Sequence, residues 1–144
     1  MSATNLLEAL RIVLGDVDPS TVVFAADVRA AGCEVRGVLD DWIRALSDVV
    51  RDAGALTNSR EPLAIELTAS DAHVVVLVRD SGRAIACSSF DPLAEDPSLD
   101  RLRAVVHAAR GTVSVEHAPR AAGCTVRVTV PVAQPREASA VQAA

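Results

Sequence analysis

Asp48 and Asp52 are the residues of this chain whose types and spacing best suit chemistry. They lie four apart in a segment patterned as a helix, so they share one face. Paired carboxylates form an oxygen-rich patch of the kind a hard cation such as Mg²⁺ takes. The same spacing belongs equally to the solvated polar side of an amphipathic helix, and both readings stand at this point. A second candidate is Asp80-Ser81-Gly82, directly after an apolar run. Gly82 would let backbone pass close to a ligand, but Asp-Ser-Gly is also an ordinary turn after a strand. Cys33, Cys87 and Cys124 are odd in number, far apart, and show neither metal-ligand spacing nor a disulfide framework. They are read as small core hydrophobes in a reducing cytoplasm.

The bulk composition removes several function classes. All 14 basic residues are arginine, which excludes a Schiff base, a lysine general base or a phosphate-gripping lysine. The net charge of -5 argues against nucleic-acid or acidic-membrane partners, which need clustered cations. An aromatic content of 2% leaves no stacking platform for single strands. With 144 residues and 50% hydrophobic content, the chain is long and apolar enough to bury one domain's core. It carries no charged-then-apolar leader and no apolar run near the ~20 residues of a membrane span. A soluble cytoplasmic protein is expected.

The elements that must position these residues follow from periodicity. Residues 3–14 form a short helix with Leu6, Leu7, Leu10, Ile12 and Val13 crowding one side, stopped by Gly15. After a turn at Pro19, residues 21–28 are expected as a buried strand, and residues 33–36 as a short extended piece. Residues 37–53 give the clearest helix, with Leu39, Trp42, Ile43, Leu46, Val49 and Val50 at helical spacing and Gly54 as its C-cap. Residues 62–70 and 72–79 are two strands joined by a tight turn, the second apolar throughout and hence central. Residues 80–97 are expected as loop, and residues 99–109 as a helix with Ser98 as N-cap. Residues 111–117 and 124–132 alternate cleanly and form a closing hairpin, before a tail from Ala133 expected to be disordered. The fold class is therefore α/β: a two-layer sandwich with a mixed, mostly antiparallel sheet covered on one face by helices. The expected division is an N-terminal helix at 1–19, the domain at 20–132 and the tail at 133–144.

Four blocks in this order carry a resemblance. They are Gly-Val-Leu-Asp-Asp onward through residues 37–53, Val-Val-Leu-Val-Arg-Asp-Ser-Gly-Arg-Ala-Ile at 75–85, Phe-Asp-Pro-Leu at 90–93, and the helix and hairpin of 103–132. Together they resemble the histidine-kinase-like (GHKL) ATPase domain, and in particular the ATP-binding domain of bacterial sensor histidine kinases. The resemblance implies a Bergerat-type fold. It places Asp48 and Asp52 at the N-box positions that hold Mg²⁺, Asp80 at the aspartate that reads adenine, and Gly82 at the first glycine box. Cofactor binding by ATP with Mg²⁺ would then rest on Asp48, Asp52, Asp80 and Gly82, with Asp48 and Asp52 on the metal.

The departures from that pattern are heavy. Ala84 replaces the second glycine of the first box, and Ala55 the basic position after the N box. Asp96-Pro97-Ser98 replaces a Gly-x-Gly that cradles phosphate with backbone N–H groups. Pro97 has no N–H, and Asp96 sets a negative charge against a triphosphate. Arg51 and Arg83 are the nearby cations expected to offset the acids. His73, His107 and His117 lack a phosphoacceptor context, and His107 reads best as a surface histidine. The resemblance therefore implies a degenerate site, weak or absent nucleotide binding, no catalytic residue, and a protein partner: a response regulator, a kinase fragment or a sigma-factor regulator. An ATP- and Mg-binding stand-alone kinase of the histidine or anti-sigma-factor serine type is the second reading. A structural or dimerisation domain that is one half of a split kinase, able to form a homodimer through its N-terminal helix, is the third.

Overall fold

Alternation along the strand segments is realised as one five-stranded sheet. The protein's structure is a computed structural model that describes residues 2–56, 62–80, 97–117 and 124–133. In chain order the elements are β1 (Ala3–Thr4), α1 (Leu6–Leu14), β2 (Val22–Ala26), β3 (Val35–Arg36), α2 (Leu39–Leu56), β4 (Leu63–Ala69), β5 (His73–Asp80), α3 (Pro97–Ala108), β6 (Thr112–His117) and β7 (Cys124–Pro131). Short 3₁₀ turns at Pro19–Thr21 and Val28–Gly32 bracket β2.

The sheet order is β2-β4-β5-β7-β6, with β2 parallel to β4 and every other pairing antiparallel. The apolar run of β5 does occupy the centre. Ile65 stands opposite Val78 and Leu67 opposite Val76, while Val76 and Val78 face Val128 and Val126 on β7. These side chains are all buried and make the inner face. The outer face carries cross-strand ion pairs, Arg79 to Glu66 at 3.8 Å and Arg127 to Glu116 at 3.3 Å. Leu6, Leu10, Trp42, Leu46, Leu99, Leu102 and Val106 from the three helices join the inner face in one core. The two-layer sandwich with a mixed, mostly antiparallel sheet is thus the observed architecture. Among the described residues, no helix is long and apolar enough to cross a membrane.

Several local expectations need correction. Residues 21–28 were expected as a buried strand, but β2 is a partly exposed edge strand, with Val23 56% exposed. A run of apolar residues cannot by itself separate a central strand from a rim strand with one neighbour. Ile12 points outward at 45% exposure, because the buried set Leu6, Ala9, Leu10 and Val13 follows i, i+3, i+4, i+7 and leaves Ile12 off that stripe. Residues 3 and 4 are extended, pairing with β3, because Asn5 takes the N-cap and holds the chain before it out of the helix. Gly54 does not end α2, which runs on to Leu56. Helix α3 starts at Pro97, one residue before the expected cap Ser98. Proline suits a first helical position, where its missing N–H has no partner to lose. The tail from residue 134 lies outside the described residues.

Two glycines are fixed by close approach. Gly37 has φ +122°, and a Cβ there would stand 2.6 Å from Trp42 Nε1. Trp42 is fully buried, and its ring N–H donates to the Arg36 carbonyl at 3.0 Å. Gly111 follows α3, where a Cβ would strike the Thr129 carbonyl oxygen of β7.

Candidate functional site

Helix α2 positions the acidic pair. Its inward stripe, Trp42, Ala45, Leu46, Val49 and Val50, is buried, which turns Asp48 toward the flank where α2 packs against α3. Asp48 is only 22% exposed, and Arg101 of α3 reaches it with Nε 3.4 Å from Oδ2. Arg51, one turn along α2, places a guanidinium nitrogen 3.9 Å from Oδ1. Each carboxylate oxygen of Asp48 is therefore already faced by an arginine. Asp52 follows one turn later on the same helix.

Asp80 closes β5 opposite Cys124 of β7. That end of the sheet is where β4 begins, since Ala64 pairs with Arg79. Helix α2 delivers the chain toward the same end, a few residues before Leu63. The fold thus gathers the C-terminal part of α2, the end of β5 and the start of α3 into one region of the molecule. Gly82, Arg83, Ala84, Phe90 to Leu93 and Asp96 lie outside the described residues.

One residue escaped the sequence reading. Arg51, expected to offset the acids, does face Asp48, and Arg83 lies outside the described residues; among the described residues, the cation nearest Asp48 is Arg101. Its signal was faint: a basic residue beside the Leu99 and Leu102 stripe of a helix distant in sequence from Asp48. Only the packing of α2 on α3 brings the two together.

Asp48 as it stands does not fit a divalent metal. Mg²⁺ demands near-octahedral oxygen ligands at about 2.0–2.1 Å, and two guanidinium groups beside the carboxylate repel a doubly charged ion. Among the described residues, no three His, Cys, Asp or Glu side chains gather closely enough to hold a metal. His73 opens β5 and His107 lies on α3, both exposed. A perturbed carboxylate, Asp18, precedes the edge strand β2. The Ser20 backbone N–H, and then its hydroxyl, hold Asp18 below the usual carboxylate range as the cap of a 3₁₀ turn.

No protein-family model and no curated protein sequence matches the chain. Solved structures do. The mycobacterial sensor histidine kinase MprB superposes with a TM-score of 0.72 at 18% identity, over 91% of this chain and 97% of that one. The catalytic domain of the histidine kinase ThkA, in a nucleotide-free form, gives 0.69 at 19% identity, over 90% and 96%. The histidine kinase domain of the Escherichia coli osmosensor EnvZ gives 0.70 at 18% identity, over 94% and 91%. The chain therefore has the fold of histidine kinase catalytic domains, the histidine-kinase-like fold that the four sequence blocks resemble.

Proposed function

We propose that this chain is a catalytically degenerate histidine-kinase-like domain that acts as a protein-binding regulator in bacterial phosphosignalling. The observation that carries the reading is the state of Asp48. The four-block resemblance assigns it an N-box position, and its carboxylate is faced by Arg101 and Arg51. The sequence adds Asp96-Pro97-Ser98 where a phosphate-cradling Gly-x-Gly belongs, and Ala55 where a basic residue belongs. A polyanion entering there would meet the charge of Asp96 and a Pro97 that offers no N–H, in place of two glycines. A fold alone does not fix function; the reading rests on what the site region has lost.

The partner in this reading is a response regulator, a kinase fragment or a sigma-factor regulator. The second reading, an ATP- and Mg-binding stand-alone kinase, draws on Asp80, which still ends the central strand, with Gly82 beside it in sequence. Calorimetry with ATP and Mg²⁺ separates the two. No heat at millimolar nucleotide is expected. A micromolar Kd abolished by Asp80→Asn would overturn the proposal in favour of the kinase. Titration with a response regulator or sigma-factor regulator, should one be encoded beside this chain, tests the partner directly.

A further inference from the structure

We infer that Arg101 is a resident counter-cation for Asp48: a guanidinium supplied by α3 stands where a divalent ion would otherwise neutralise the carboxylate. The inference deepens the degenerate-site reading and rests on it. Three observations support it. Among the described residues, the closest ion pair of Asp48 is made by Nε of Arg101, 3.4 Å from Oδ2, across the α2–α3 seam. The second oxygen, Oδ1, is faced by Arg51 at 3.9 Å. And Asp48 is largely shielded, at 22% exposure, while Arg101 is 52% exposed and can be exchanged without opening the core. A carboxylate sheltered from water needs a positive partner. Here the chain provides that partner itself, so the acid can be retained without a metal.

The arrangement has a chemical consequence. An arginine cannot be deprotonated in a protein, so the positive charge beside Asp48 is permanent. A free divalent cation would have to displace it or share the carboxylate with it, and both are opposed by like charge. Removing the guanidinium should therefore create cation affinity at Asp48 that the natural chain lacks.

The test uses Mn²⁺ alone as probe, read by paramagnetic broadening of amide signals and by calorimetry, with no nucleotide and no partner. Arg101→Gln should bind Mn²⁺ on the order of tenfold more tightly than the natural protein, with broadening centred on residues 45–52. Arg101→Lys, which keeps the charge, should behave like the natural protein. The double variant Asp48→Asn with Arg101→Gln should lose the gain. Circular dichroism confirms that each variant is folded, and Arg101→Ala repeats the measurement should the glutamine variant not fold. The inference is overturned if the natural protein binds Mn²⁺ as tightly as Arg101→Gln does, or if the gain survives Asp48→Asn. Failure here would leave the nucleotide result untouched, and micromolar ATP binding would sink the functional reading whatever Mn²⁺ does.

Discussion

Asn5 shows how much one side chain organises. Its Oδ1 accepts the Glu8 N–H at 3.0 Å and caps α1, while its Nδ2 donates to the carbonyls of Ala30, Ala31 and Cys33 at 3.0–3.1 Å. The beginning of α1 and the 3₁₀ turn after β2 are thereby tied through a single amide. Asn5→Ala removes a cap worth about 1 kcal/mol and leaves partly buried carbonyls short of donors, so a loss of about 2–3 kcal/mol in urea unfolding is expected. Asn5→Asp keeps the cap without the donors and should fall between. At this scale the sequence was legible where neighbours along the chain decide the outcome. The shared face of Asp48 and Asp52 followed from helical spacing. The Asp48–Arg101 pair did not, because it is a product of helix packing.

At the scale of elements, the alternating hairpins were the most readable parts. Val113 and Val115 do oppose Val128 and Val126, as a period of two requires. The unreadable parts were ends and edges, where β2, Gly54 and Ser98 depart from expectation. The end of α3 is instructive. Arg110 has φ +68°, its N–H donates to the His107 carbonyl at 2.9 Å, and the Gly111 N–H donates to the Val106 carbonyl at 2.8 Å. This is the paired closure of a helix C-terminus, with arginine where glycine is usual. Arg110→Gly should stabilise the chain by about 0.5–1 kcal/mol by relieving the left-handed strain. Gly111→Ala should cost about 3 kcal/mol, because the methyl group meets backbone of β7 that cannot yield cheaply. Thermal unfolding of the two variants should move Tm in opposite directions.

Across the whole molecule, α1 shares a core with α2 and the sheet. Leu6, Leu10, Trp42, Ile65 and Val128 are each 1% exposed or less in one connected cluster. Leu10→Ala should therefore cost about 2–5 kcal/mol. The single tryptophan gives a local probe: fluorescence from Trp42 and far-ultraviolet circular dichroism should shift together, as one cooperative transition. A shift confined to helical signal, with the Trp42 transition unmoved, would mean that α1 melts alone.

The bracketing of β2 has a consequence at the rim of the sheet. Val22–Ala26 spells Val-Val-Phe-Ala-Ala, an adhesive string in any ribbon left open to a neighbour. Yet Asp18 and Asp27 each cap a 3₁₀ turn at its two ends, with Pro19 leading the first. A second molecule drawing alongside would find a ladder of five rungs, coiled away at both limits and flanked by carboxylates. That is too little purchase for one sheet to grow onto the next.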